Sequence, residues 1–244
     1  MNSDWEWWLW SDEDNRRLIA EHYPWFLDTY DAYQHPITRV DAVRLFYLHR
    51  FGGLYLDLDF ACLHPIDQLM PQPDGHAIFS YQYPDQLLGK IGAVANNVMA
   101  APPGHPFFTR AISDLQRSRN ASVLFAAGPN FLTSNLRMFA DYAAGQKSSL
   151  TKGARNSSAT TIYSMPLFYS NTWDRPRVGS CGLGTPAELE TCKKRHNSSI
   201  FTTFWTNTWK PKGTAIHFDQ LYRSRTVNIS SCTPYSQDPR CIRL

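Results

Sequence analysis

The sequence predicts an α/β fold, a single domain over residues 1–244 with a mostly parallel sheet flanked by helices. Segments of strand character alternate along the chain with segments of helical character, the pattern produced when helices join successive strands of one sheet. A chain of 244 residues with 43% hydrophobic content can bury one full core, and it fits one domain better than two. No internal repeat divides it.

The elements follow in order. Trp5 to Trp10 alternates acid and aromatic residues and is predicted as a strand. Ser11, with acids behind it, caps a helix over about Asp14 to His22. Tyr23-Pro24-Trp25 breaks that helix, Phe26 to Tyr33 forms a second short one, and His35-Pro36 resets the chain before a helix over Ile37 to Arg50. Gly52-Gly53 ends it. An acidic strand from Leu54 to Phe60 follows, then a turn through Leu63-His64-Pro65. Further strands are predicted at Ala77 to Tyr81 and Ile91 to Met99, the second with Asn96 and Asn97 inside an apolar run. Helices follow at about Phe107 to Arg117 and after Gly128-Pro129. A polar surface loop spans Gly145 to Thr160. A strand at Thr161 to Pro166, a Gly-rich, Cys-containing excursion and a last strand at Thr214 to Phe218 complete the chain.

The chemistry concentrates between Asp41 and Asp59. Strand side chains alternate faces, so Leu54, Leu56, Leu58 and Phe60 are predicted on one face, with Tyr55, Asp57 and Asp59 on the other. Two carboxylates two residues apart on a strand stand about 6.5 to 7 Å from each other, close enough to share a divalent ion directly and through water. Hard oxygen ligands suit Mg²⁺ or Mn²⁺. The plain alternative is a solvated strand face. On the preceding helix Asp41 and Arg44 share a face at i,i+3. The plain alternative for them is an exposed pair that contributes little.

Asp-x-x-Arg followed by Gly-Gly-x-Tyr-x-Asp-x-Asp resembles the DXD sugar-binding region of the GT-A glycosyltransferases of family 32, which includes initiating α-1,6-mannosyltransferases and mannosyl-inositol-phosphorylceramide synthases. The similarity is densest from Asn2 to Pro65, continues through Ala93 to Thr133, and thins beyond Ala140. It implies a GT-A-like sheet and a metal-dependent hexosyl transfer with retention, most simply mannose from GDP-mannose, with a UDP-sugar as the other donor class. The acceptor it implies is a glycan or an inositol-phosphorylceramide headgroup. By the same resemblance Asp57 contacts ribose and metal, Asp59 binds the metal, Arg44 reaches the diphosphate or sugar, and Asp41 accepts from sugar hydroxyls. Gly53, Tyr55 and Asn97 join the donor site. His217 is the candidate third metal ligand, with Asp219 as its competitor, because the Ser-Trp that follows this His in the family is replaced here. The family's first strand is missing ahead of Asn2, so the chain is expected to be truncated at its N-terminus. Two rivals are an inactive sugar-binding pseudoenzyme and a metal-dependent phosphohydrolase. The latter lacks the further acids and histidines a two-metal site needs.

A net charge of +3 without a long run of like charge gives nucleic acid binding no support. The 8 Trp, 12 Tyr and 14 Phe suit either a large aromatic core or flat faces that hold sugars. Four of the five cysteines (Cys181, Cys192, Cys232, Cys241) fall in a C-terminal region, about 170–244. No Cys-x-x-Cys with a nearby His accompanies them, which favours disulfides over zinc. Cys62 is expected as a buried thiol. Acceptor sequons at Asn120, Asn156, Asn197 and Asn228 agree with a secretory lumen such as the Golgi. No signal peptide and no membrane-spanning run precede them, so an anchor is expected to belong to a longer protein.

Overall fold

The computed structural model describes residues 5–69, 75–81, 93–147, 160–163 and 185–203. Helix α1 (Asp12–His22) starts in a capping box, with the Asp14 amide donating to Ser11 Oγ at 3.1 Å and the Ser11 amide donating to Asp14 Oδ2 at 3.1 Å. Two backbone donors at the helix start are thereby met. A 3₁₀ turn (Pro24–Phe26) leads into α2 (Leu27–Ala32), and Pro36 opens α3 (Pro36–Phe51). Gly52 ends α3 at φ 67°, with its amide donating to Leu48 O at 3.1 Å. A Cβ there would lie 2.6 Å from Pro103 Cδ and 2.9 Å from Ala101 O, so this position requires glycine twice over.

Strand β1 (Gly53–Leu56) pairs antiparallel with β4 (Val94–Ala101), and β4 pairs antiparallel with β3 (Ala77–Tyr81). β3 in turn pairs parallel with β5 (Thr160–Tyr163), giving the order β1-β4-β3-β5. A second, two-stranded sheet joins β2 (Phe60–Cys62) antiparallel to β6 (Phe201–Thr203). The α/β class therefore holds, whereas the mostly parallel sheet does not among the described residues. The reason lies in the element order: β1 to β4 follow one another with no α-helix described between them. Parallel neighbours need a long crossover, and antiparallel ones do not. The long helices α4 (Pro106–Ser118) and α6 (Pro129–Lys147), with the one-turn α5 (Val123–Ala126) between them, come after β4.

The sheet separates two apolar layers. On one face Leu18, Phe26, Leu45, Phe46, Phe79, Phe107 and Leu136 belong to the main core between helices and sheet. On the other, Ile66, Ile78, Val98, Ala100 and Phe201 form a smaller cluster, with Leu54 and Leu56 against it. Tyr55 packs on the main core, so β1 alternates as its sequence predicts.

Three sequence-based expectations change. Residues 5–10 form no strand; they run alongside α3, Trp10 stacking on Tyr47 at 4.5 Å and Trp8 meeting Phe51 edge-on at 5.4 Å. Here ring packing replaces a ladder. The acidic strand stops at Leu56, and Asp57-Leu58-Asp59 is a turn before β2, so Leu58 is exposed instead of lying on the apolar face. Helix α7 (Pro186–Arg195), absent from the prediction, begins in a second capping box between Thr185 and Glu188. The predicted strand at 214–218, most of the 145–160 loop, Cys181, Cys232, Cys241, Asn156, Asn228 and His217 lie outside the described residues.

Candidate active site

The site grows from a buried cation. Arg44 and Asp41 project from α3 where it packs against β1 and β4, and both are almost wholly buried, which excludes the exposed-pair alternative. Arg44 Nη2 lies 2.9 Å from Asp41 Oδ1 and Nη1 lies 3.3 Å from Asp57 Oδ1. Nη1 also donates to Asn96 O at 2.7 Å, and Nε donates to Val40 O at 3.3 Å. The guanidinium plane sits 4.7 Å from the centre of the Tyr55 ring. One fork thus joins helix α3, the turn after β1 and strand β4.

A break in the β4 ladder makes those carbonyls available. Ile78 pairs with Ala100 and Ser80 with Ala95, so the single residue Phe79 faces Asn96 to Met99. This bulge takes Asn96 and Asn97 out of register with β3. Asn96 O then accepts from Arg44, and Asn97 O accepts from the Asp57 amide at 2.9 Å, extending the β1–β4 ladder by one residue beyond Leu56. The Asn96 side chain donates through Nδ2 to Asp41 Oδ1 at 3.0 Å.

Asp57 is therefore held from three sides. Its amide is fixed to β4, and its Oδ1 accepts from Tyr55 OH at 2.6 Å and faces Arg44. Oδ2 has no protein partner among the described residues, and the side chain keeps 32% of its exposure. A carboxylate pinned through one oxygen with the other open suits a ligand. Asp59, half-buried, follows in the same turn. Behind them a stack of rings supports the site, Tyr55 lying parallel to Tyr47 at 6.3 Å and Tyr47 to Trp10, with the Tyr47 hydroxyl bonded to Asn15 Oδ1 of α1.

The electrostatics follow from burial. Burial drives the Asp41 carboxyl up to about 6, against the pull of the Arg44 cation, and the nearby charge of Asp57 adds to the rise. Burial works against the Arg44 charge too, but Asp57, Tyr55 and Asp41 outweigh it and hold the guanidinium above its ordinary value. The Tyr55 phenol is pushed well above its ordinary value by burial, so it stays a donor to Asp57.

Asp41, Arg44, Tyr55 and Asp57 are thus brought together, with Asp59 beside them. Gly53 is not; it lies at the start of β1, about 13 Å along the strand from Asp57. Asn97 supplies its carbonyl, and its side-chain Oδ1 is buried without a hydrogen bond. Asn96, Tyr47 and Asn15 were not singled out from the sequence. The paired asparagines inside an apolar strand were the visible signal for Asn96; which of the two meets Asp41 depends on register alone. Among the described residues no three His, Cys, Asp or Glu side chains gather closely enough to hold a metal by themselves. Two carboxylates with one open oxygen still fit a hard divalent ion whose other ligands are diphosphate and water.

Residues 1–75 match the glycosyltransferase sugar-binding region containing DXD motif. The matched residues contain the whole stretch from Asp41 to Asp59. The chain is 37% identical over 139 residues to inositol phosphoceramide mannosyltransferase 3 of Schizosaccharomyces pombe, covering 54% of this chain and 36% of that protein. It is 36% identical over 139 residues to mannosyl phosphorylinositol ceramide synthase SUR1 of Saccharomyces cerevisiae, covering 54% of this chain and 34% of that protein. The matched part thus spans about a third of the length of these curated relatives. Among solved structures, PaToxG glycosyltransferase is 19% identical with a TM-score of 0.32, over 75% of this chain and 56% of that one, too distant to carry an argument. The resemblance read from Asp-x-x-Arg and Gly-Gly-x-Tyr-x-Asp-x-Asp is borne out by the sugar-binding region and these relatives.

Proposed function

We propose that this chain contains the donor site of a metal-dependent mannosyltransferase that moves mannose from GDP-mannose, with retention, to an inositol-phosphorylceramide or related glycan acceptor. The observation that carries it is the state of Asp57, pinned through Oδ1 by Tyr55 and Arg44 with Oδ2 open beside Asp59. The relatives' names point to the sugar and the acceptor. Asp57 and Asp59 would hold Mn²⁺ or Mg²⁺, with His217 as a further ligand, and the ion supplies neutralisation of the charge that builds on the departing nucleoside diphosphate.

The protein's own residues do the positioning. Arg44 fixes Asp57 and Asp41 relative to each other, so the donor meets a preorganised pair of carboxyls. Asp41, held through Oδ1 by Arg44 and Asn96, faces the sugar hydroxyls in this reading; Tyr55 keeps the Asp57 carboxylate from rotating. We also place the protein in a secretory lumen such as the Golgi. There Cys192, buried against Leu63 and not a free thiol, would bridge to Cys181, Cys232 or Cys241, while Cys62 stays outside any disulfide.

Titration calorimetry of GDP and UDP, with and without Mn²⁺, tests the donor. GDP binding only with Mn²⁺ is expected, together with hydrolysis or transfer from GDP-mannose that Asp59→Ala abolishes while the fold survives. Full turnover of Asp59→Ala at saturating Mn²⁺ would refute the metal assignment, and preferential UDP binding would move the donor to a UDP-sugar.

A further inference from the structure

At the far end of α3 from Asp41 and Arg44 lies a concavity of about 530 Å³, lined by His22, Tyr23, His49, Arg50, Pro103 and Gly104. It is built where α1 and α3 both end. The Tyr23 hydroxyl is bonded to His49 Nδ1 at 2.7 Å, and Gly104 donates to His49 O at 2.8 Å, so its walls are fixed. Neither the Arg50 cation nor the His22 ring has an acidic partner among the described residues, and the nearby Glu21 is occupied by Arg17 at 2.7 Å. Basic side chains commonly sit at helix C-termini to complement the backbone dipole. That role accounts for their place at the helix ends and leaves the hollow between them unexplained.

The second observation is what borders this hollow. The Arg50 guanidinium lies 6.0 Å from the Phe51 ring, and the same ring takes the edge of Trp8 at 5.4 Å. Trp8 belongs to the exposed run Trp7-Trp8-Leu9, with 39%, 38% and 36% of each residue open to solvent. Two residues along the chain from Tyr23, Trp25 is 46% exposed. Large apolar side chains massed at a surface mark an interaction site. Tryptophan next to an arginine without an acidic partner is a composition that binds at a membrane–water interface, where the ring lies among headgroups and the cation meets phosphate. Glu6 is the acid within this run, and burial together with the Arg50 charge holds the His49 imidazole below its ordinary value, so Arg50 is the full positive charge among the residues that line the hollow.

We propose that the hollow between the ends of α1 and α3, with the Trp7-Trp8-Leu9 edge, is a docking surface for anionic phospholipid headgroups of a bilayer. It is independent of the transfer reaction. The hollow receives a headgroup phosphate against Arg50, His22 and His49, while the indoles enter the interfacial layer. Such a contact would hold α3, and with it the Asp41–Asp57 site at the other end of the helix, at a set height above the lipid surface.

Flotation of the whole chain with vesicles tests this. Binding is expected to vesicles of phosphatidylcholine mixed with phosphatidylinositol and not to phosphatidylcholine alone. Arg50→Glu and Trp7→Ser should each weaken it about five-fold or more, the scale of one basic or interfacial side chain, whereas Arg119→Glu, exposed at the end of α4, should leave it unchanged. Trp7 makes no ring contact among the described residues, and circular dichroism confirms the fold of each variant; Arg50→Gln replaces Arg50→Glu if the reversal unfolds. Equal binding to neutral vesicles, or an equal loss with Arg119→Glu, would overturn the assignment. Displacement from vesicles by inorganic phosphate at matched ionic strength would overturn it as well, since the hollow would then be a site for free anions.

Discussion

Replacing Arg44 separates geometry from charge at the site. The guanidinium serves four acceptors at once: Val40 O, Asn96 O, Asp41 Oδ1 and Asp57 Oδ1. Alanine removes the cation from two carboxylates, one of them fully buried, and breaking a buried pair from one side costs about 3–5 kcal/mol. Lysine keeps the charge, but its donors radiate from a single nitrogen and cannot span α3, β4 and the Asp57 turn together. At least one buried acceptor is then unmet, at about 1–3 kcal/mol. The two variants should therefore differ in stability yet resemble each other in catalysis, because both release Asp57 Oδ1, and displacement of a positioned group costs about 100-fold in rate. Urea denaturation measures the first quantity, and kcat/KM for Mn²⁺-dependent transfer from GDP-mannose measures the second. Near-normal kcat/KM in Arg44→Lys would refute the reasoning, since charge alone would then suffice.

Other outcomes follow from the same structure. The folded-state value of Asp41, about 6, lies above its ordinary 3.8, so its contribution to stability is fully present below about pH 3.8 and is lost as pH rises through about 6. Asp41→Asn should therefore gain stability relative to the native chain between pH 4 and pH 7, by up to about 3 kcal/mol, and parallel denaturant curves across that range would contradict the burial argument. Gly52→Ala should lower stability by about 2 kcal/mol or more, because it combines φ 67° with a Cβ 2.6 Å from Pro103; an unchanged melting temperature would count against that packing. Unreduced mass spectrometry of lumen-expressed protein should find Cys192 bridged to Cys181, Cys232 or Cys241, with closure stabilising by about 2–4 kcal/mol, and four free thiols would contradict both the bridge and the compartment.

Local signals in the sequence placed most of the helices. Ser11, Pro36, Gly52 and Pro106 act within a turn of their own position, so α1, α3 and α4 were legible within about two residues. Thr185 and Glu188 gave an equally local signal for α7 that went unread amid the Gly- and Cys-containing stretch. The sheet was less legible, because strand direction depends on which segments meet and not on their composition. β1 alternated as predicted through Asp57, whose side chain does share the Tyr55 side, but the strand could not be seen to end before Asp59. The cluster's membership was legible in Asp41, Arg44, Tyr55 and Asp57, whereas its depth was not. Polar side chains on a helix beside a glycine stop suggest a surface, and only the arrival of β4 across them turns that surface into an interior.

The bulge in β4 has a genetic consequence. Asp57 and Arg44 are anchored in part by the carbonyls of Asn96 and Asn97, groups that every residue type carries. Exchange of the Asn97 side chain leaves its carbonyl anchor in place, whereas loss or gain of one codon between Asn96 and Met99 would move both carbonyls out of reach with every side chain from Asp41 to Asp59 still present. At this point of the chain, what must be inherited is a spacing more than a letter, and damage to it would be invisible to any scan that changes residues one at a time.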